Sequence, residues 1–208
     1  LFEGGRFEEY IDAKPLDEKD IIKFRNKIIE KIKKINIMPF SGSLICWKRL
    51  FEWNQILKNK KIYDYNDEIN QLKNKMNEYP NNHLFFKKVF CHNDLLPSNI
   101  LVDKNENIHF IDYEYAGINY LGMELANHVI YYDFENIKNK NTEIILFLES
   151  YFERKLNNLD IELINYFIKI TYLTWMIWGQ ISCDDDNKEI DFNYQKYVDD
   201  CKRNYYLF

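Results

Sequence analysis

Glycine is scarce in this chain, at 6 of 208 residues, and no glycine-rich loop of the kind that cradles phosphates precedes its polar motifs. The Gly4-Gly5 pair is too short for that task. No uncharged apolar run approaches ~20 residues, so neither a membrane span nor a signal peptide is expected. A basic excess is also missing. With 28 Lys and Arg against 33 Asp and Glu, and a net charge of -5, the chain lacks the basic face of a nucleic-acid-binding protein. Mild acidity of this size is a solubility feature. The four cysteines, Cys46, Cys91, Cys183 and Cys201, are far apart with no C-x-x-C, as expected of free thiols in a reducing, cytoplasmic setting. His83 and His109 show no metal-ligand spacing and receive no role. Neither an internal repeat nor a long linker is visible. A length of 208 residues suits one sizeable domain or two small ones.

Apolar and aromatic residues, by contrast, are plentiful. Hydrophobic residues make up 46% of the chain, enough for a real core, and aromatics reach 17%, with 16 Tyr and 15 Phe. Such side chains carry large buried area and can also cage cations. The many Asn and Lys residues read as compositional bias.

Helical periodicity predicts helices over Leu16–Ile35 with Asp17 as N-cap, Leu44–Asn59, Asp64–Tyr79, Gly122–Tyr132, Thr142–Leu156, Asp160–Gln180 and Asp191–Tyr205. Strand-like runs are Lys88–Cys91, Ile100–Val102 and Ile108–Ile111, the last two joined as a hairpin by the turn Asp103–Asn107. A further hairpin is expected over Phe2–Ile11, around Gly4-Gly5. Asn136–Asn141 and Cys183–Lys188 read as polar loops. Trp47 and Trp53 are expected to be packing residues.

The chemistry concentrates in Val89-Phe90-Cys91-His92-Asn93-Asp94-Leu95-Leu96-Pro97-Ser98-Asn99-Ile100-Leu101-Val102, followed by Ile111-Asp112-Tyr113-Glu114-Tyr115. Phosphoryl transfer needs a carboxylate to orient and accept the proton of the attacking hydroxyl. It also needs an amide and a carboxylate to hold Mg²⁺ against the nucleotide phosphates. The pattern H-N-D-x-x-x-x-N followed by an Asp supplies these at the spacing of the H-R-D-x-x-x-x-N catalytic loop. Asp94 is the candidate base, with His92 orienting the loop, and Asn99 and Asp112 are the candidate Mg²⁺ ligands. Glu114, two residues past Asp112, would share its face if the segment is extended, and could then bind a second metal or a metal-bound water. As isolated loop residues, Asp and Asn are otherwise turn or cap formers.

The run Ile111-Asp112-Tyr113-Glu114-Tyr115-Ala116-Gly117-Ile118-Asn119-Tyr120, with Glu124-Leu125-Ala126-Asn127-His128 beyond it, resembles the signature of choline/ethanolamine kinases, roughly I-D-[FY]-E-Y-x-x-x-N-Y-x-x-x-[DE]-x-x-N-H. The first motif alone is shared with aminoglycoside phosphotransferases and other small-molecule kinases. Both motifs in order are far more specific, and the resemblance covers nearly the whole chain. It implies an α+β, protein-kinase-like C-terminal lobe, mostly helical, with short β-hairpins at the hinge and catalytic loop. It implies an ATP- and Mg²⁺-dependent phosphotransferase acting on the hydroxyl of choline or ethanolamine, a first step toward phospholipid head groups. Residues 1–15 then form a hinge-like segment, where Glu9, Tyr10 and Ile11 would lie near the adenine, or else an ordinary hairpin. Residues 16–208 form the catalytic and substrate-binding lobe.

The resemblance further implies that the nucleotide lobe, with its Gly-rich loop and phosphate-binding Lys, lies upstream of this chain. Leu1-Phe2-Glu3 is not a translation start, so the chain is expected to be a piece of something longer. Asn119, Glu124 and Asn127 would fix the loop by hydrogen bonds, with His128 supporting them. Trp175 and Trp178, three residues apart on one helical face, and Tyr197 downstream would wall a pocket for the substrate ammonium, which aromatic faces recognise best. Taken without the kinase motifs they read first as core aromatics of a helical bundle, and the motifs reverse that reading. The signature usually continues N-H-x-x-E-W, the Glu balancing the amine. Here Tyr131 stands at that place, so Tyr131 or Tyr132 would add an aromatic wall and the counter-charge would fall to Asp133 or Glu135. Leu96 also departs from a common Gln. The implied partner is a small amino alcohol, without nucleic acid or membrane span, and a homodimer is compatible with it. The rival readings are an aminoglycoside phosphotransferase-like kinase and a non-catalytic kinase-like binding module.

Overall fold

The computed structural model describes residues 10–17, 20–132, 140–183 and 192–208. The hairpin expected over residues 2–11 falls almost wholly outside the described residues, as do Glu9, Asp133, Glu135 and most of both expected polar loops.

A short strand β1 (Ala13–Pro15) leads into helix α1 (Ile21–Asn36). The apolar stripe Ile21, Phe24, Ile28, Ile29, Ile32 and Ile35 is buried on one face, as its spacing predicts. The helix begins later than Asp17, with Asp20 in the cap position and no side-chain cap hydrogen bond. Helices α2 (Cys46–Asn59) and α3 (Asn66–Lys75) follow, and a 3₁₀ turn over Met76–Glu78 closes the segment expected to stay helical to Tyr79.

Four strands come next: β2 (Lys88–Cys91), β3 (Ile100–Asp103), β4 (Ile108–Phe110) and β5 (Gly117–Tyr120). They form two small antiparallel sheets, one ordered β1-β3-β4 and one pairing β2 with β5. Asp103 holds the β3–β4 turn by accepting from the amides of Asn105 and Asn107, both at 2.8 Å. Strand β5 was not expected. Its run Gly117-Ile118-Asn119-Tyr120 carries Gly and Asn, which strands disfavour, and its partner β2 lies 26 or more residues upstream, beyond any local pattern.

Helix α4 (Leu121–Val129) starts directly after β5, and a 3₁₀ turn over Ile130–Tyr132 ends it. Helices α5 (Lys140–Phe152), α6 (Asn158–Cys183) and α7 (Tyr194–Leu207) complete the chain. The 26-residue α6 is the spine, buried along most of its length and packed against α2, α4 and α7. Arg154 forks onto the fully buried Asp160 at its start, with two contacts of 2.7 Å. Where α4 crosses α6, Gly122 lies against the Phe167 ring, and a Cβ there would run into it. Among the described residues no helix is long and apolar enough to cross a membrane. All four cysteines are free.

Candidate active site

The loop between β2 and β3 carries Asp94, and a buried polar lattice fixes it. Glu124, fully buried on α4, accepts from the backbone amides of His92 and Asn93, each at 2.9 Å. Asn127 Oδ1, one turn further along α4, accepts from Leu95 N at 2.7 Å. His128 Nδ1 donates to the Leu95 carbonyl at 3.1 Å. His92 Nε2 donates to the Ile111 carbonyl at 2.7 Å, tying the loop to the end of β4. Burial lowers the affinity of both rings for a second proton, and His128 falls to about 4. Each imidazole is therefore a neutral strut.

Asn93 turns the loop from a left-handed conformation, φ 65°, which Asn tolerates better than most residues. Its Nδ2 donates to the Cys91 and Tyr115 carbonyls at 3.2 and 3.0 Å, and its Oδ1 accepts from Asn119 Nδ2 at 2.7 Å.

Asp94 is 8% exposed. Asn99 Nδ2 donates to its carbonyl at 3.0 Å and to its Oδ2 at 3.1 Å. The Asp94 carboxyl is pushed up to about 7, first by burial and then by the negative charges of Asp112 and Glu114. The Asn99 hydrogen bond and the Arg49 charge work in the opposite direction. Asp94, Asn99, Asp112 and Glu114 thus converge on one locality.

The route by which Glu114 arrives differs from the expectation. Asp112 is left-handed, φ 61° and ψ 63°, and Tyr113–Tyr115 is a 3₁₀ turn rather than an extended segment. At three residues per turn, positions two apart do not share a face. The approach of Glu114 to Asp94 comes from this reversal of the chain and not from strand alternation.

The predicted aromatic residues meet in a row of rings. Trp175 and Trp178 are 5.7 Å apart and nearly perpendicular, and Trp178 and Tyr197 are 6.0 Å apart in the same manner. The row extends the other way through Tyr115, 5.7 Å from Trp175, to Trp53, 6.0 Å from Tyr115. Trp178 Nε1 donates to the Tyr115 hydroxyl at 3.1 Å. Trp175 is buried, while Trp178, Tyr131 and Tyr197 are half-buried. Tyr131 is an electrostatic neighbour of both Asp94 and Tyr197. Tyr132 is a core residue instead of a wall: it is fully buried against His128 and Phe147. Tyr10 is 87% exposed just before β1, and the Ile11 carbonyl accepts from Ala13 N at 2.9 Å.

A family model described as choline/ethanolamine kinase matches residues 1–206. The chain belongs to the choline/ethanolamine kinase family. It is 31% identical over 225 residues to "Probable ethanolamine kinase A" of Dictyostelium discoideum, an alignment covering 95% of this chain and 63% of that protein. The chain therefore spans less than two thirds of that relative's length. Among solved structures, it resembles an ethanolamine kinase from Plasmodium vivax, with a TM-score of 0.75 and 22% identity over 98% of this chain and 66% of the other. It also resembles a choline kinase from Cryptosporidium parvum, with a TM-score of 0.73 and 24% identity over 100% of this chain and 71% of the other. At these identities the likeness shows the fold, which is the mainly helical lobe of the protein-kinase-like architecture.

Two site residues of this kinase-family chain escaped sequence reasoning. Asn93 stood in plain view between His92 and Asp94, and its place in a tight loop was the available signal. Arg49 on α2 carried none. Its Nη2 donates to the Tyr115 carbonyl at 2.9 Å, 66 residues away in sequence.

Proposed function

We propose that this chain carries the catalytic carboxylate and the amino-alcohol pocket of a Mg·ATP-dependent kinase that phosphorylates the hydroxyl of choline or ethanolamine. The carrying observation is the buried Asp94 carboxyl, gripped by Asn99 and flanked by Asp112 and Glu114 beside a row of aromatic rings. Family membership supports the same reading.

In this reading Asp94 orients the substrate hydroxyl. As that oxygen bonds to the γ-phosphorus and the bond to the ADP oxygen breaks, the hydroxyl proton passes to the Asp94 carboxylate. His92 keeps the loop in register through the Ile111 carbonyl. The donor set fits Mg²⁺. Asn99 spends its nitrogen on Asp94, leaving Oδ1 as an oxygen ligand, and Asp112 is exposed beside it. Among the described residues no group of three or more His, Cys, Asp or Glu is able to hold a metal by itself. An ion held by two protein oxygens and completed by phosphates and water is the habit of Mg²⁺. Bound there, it would neutralise phosphate charge, with Glu114 supporting a second ion or a metal-bound water.

Trp175, Trp178, Tyr197 and Tyr131 form the wall for the ammonium group. Residues 1–15 serve as the hinge-like segment, with Glu9, Tyr10 and Ile11 near the adenine, and residues 16–208 as the catalytic lobe. Free cysteines fit a cytoplasmic enzyme of phospholipid head-group synthesis. A homodimer belongs to the same reading and is checked by sedimentation. An aminoglycoside is a polycation and would call for several acids along the pocket, whereas the walls described above are indoles and phenols.

The test is an ADP-release assay on the full-length protein carrying this chain, with Mg·ATP and choline, ethanolamine or an aminoglycoside in parallel. Turnover with either amino alcohol, lost on Asp112→Ala, is expected. Turnover with the aminoglycoside alone moves the assignment to antibiotic phosphorylation. Amine binding without turnover, unaffected by Asp94→Asn, makes the chain a binding module.

A further inference from the structure

A small amino alcohol is a rod with a cation at one end and a hydroxyl at the other. A carboxylate attracts the cationic end at least as strongly as it accepts a hydrogen bond from the hydroxyl. A site built around Asp94 therefore risks taking its substrate backwards. The family's usual Glu would draw the cation elsewhere, and Tyr131 stands in its place.

Arg49 supplies a fixed positive charge at this point. Its Nη2 shares the Tyr115 carbonyl with Asn93 Nδ2, at 2.9 and 3.0 Å. The guanidinium carbon lies 5.2 Å from the Tyr115 ring centroid and 5.6 Å from that of Trp53. With Asn93, Asn119 and Trp175 it lines a cavity of about 20 Å³ behind the catalytic loop. The Asp94 charge is among its electrostatic neighbours. Guanidinium remains charged at any working pH and stacks on aromatic faces. Arg49 thus covers the Trp53–Tyr115 end of the ring row with a cation, and the row continues through Trp175 to Trp178 and Tyr197.

We propose that Arg49 is a positioning residue that sets the direction of the bound amino alcohol, repelling its ammonium end from Asp94 and the Trp53–Tyr115 rings so that the hydroxyl end faces Asp94. The proposal rests on the amino-alcohol kinase reading and assigns to this chain a specificity device made of like charge.

Removing the charge admits a second, backward binding mode. Non-productive binding lowers kcat and KM by the same factor and leaves kcat/KM in place. In Arg49→Gln, which keeps a neutral donor for the Tyr115 carbonyl, kcat and KM for ethanolamine should both fall by about fivefold, as for a partly screened charge pair. Arg49→Lys, which restores the charge, should bring both constants back toward the wild type. Ethylamine has the ammonium and no hydroxyl. Its binding to the free protein, followed by tryptophan fluorescence, should tighten by about fivefold in Arg49→Gln. A fall in kcat/KM at unchanged or raised KM, with ethylamine binding unaltered, would make Arg49 a structural clamp alone and overturn the proposal. If the wild type phosphorylates neither amino alcohol, the kinase reading fails by itself. The ethylamine comparison still decides Arg49: tighter binding in the Gln variant supports the charge device, and equal binding ends it.

Discussion

The two ends of the site are built by opposite means. Around Asp94, side chains and backbone amides are joined by hydrogen bonds of 2.7–3.2 Å, each directional and most of them buried. Around Trp178, the members are held by perpendicular ring contacts of 5.7–6.0 Å and one indole hydrogen bond. A lost partner at the first end strands a buried polar group, whereas rings at the second can shift and repack. The polar end should therefore govern whether transfer occurs, and the aromatic end how well the substrate is held.

The sharpest way to break this division is Asp94→Asn, which keeps the shape and removes the base. We expect kcat to fall by about 10³-fold with KM changed by less than about threefold. An equal rise in KM would show that Asp94 binds more than it catalyses. The same carboxyl predicts the acid limb of the free enzyme. The base must be ionised, so kcat/KM should decline with falling pH along a limb that burial sets above the ordinary carboxylate range, and the limb should vanish in Asp94→Asn.

Next in size is Glu124→Ala, which strands the His92 and Asn93 amides. Chemical denaturation should show a loss of about 2–4 kcal/mol, one desolvated donor for each amide. Glu124→Gln tests the charge itself. Burial raises this carboxyl from 4.5 to about 7, so the folded state holds the proton more tightly than the unfolded chain. That contribution is full below pH 4.5 and is lost as pH rises through about 7. The melting temperature of the Gln variant relative to wild type should therefore climb between about pH 5 and pH 8.

Gly122→Ala probes the joint between the two ends, since α4 carries Glu124 and α6 carries both pocket tryptophans. The new methyl meets the Phe167 ring and should cost about 1–3 kcal/mol of stability by overpacking. A variant that keeps full stability would mean that the helices slide freely past one another. The smallest effect is reserved for the aromatic end. Trp178→Leu should raise KM by about fivefold, one cation–π contact, with kcat within about twofold. A collapse of kcat would show that the Trp178–Tyr115 hydrogen bond reaches the catalytic loop and would erase the division.

The sequence carried the helices of this fold because their apolar stripes are long. Six buried positions of α1 follow one 3.6-residue pattern, and the motif from His92 to Asn99 sits within eight consecutive residues. What escaped depended on distance or on conformation. Strand β5 exists through β2, and Arg49 matters through Tyr115; no local pattern encodes either pairing. The left-handed turn at Asp112 ends the chain's extended course just past β4, so Glu114 does not reach the site by strand alternation; Asp tolerates that conformation without announcing it. Tyr132, next to Tyr131 and equally aromatic in sequence, went to the core because a 3₁₀ turn points neighbouring side chains in different directions.

Strand β1 is only three residues long, yet it pairs with the strand that follows Asn99, Ala13 to Asp103 and Pro15 to Leu101. Leu16 N closes the join on the Ile100 carbonyl at 2.7 Å, one residue from Asn99. Mechanically this is a lever with a very short arm. A tug on residues 10–12 is delivered through three rungs of a ladder to the amide proposed to hold the ion. The same three rungs would let a filled site stiffen the chain entering it.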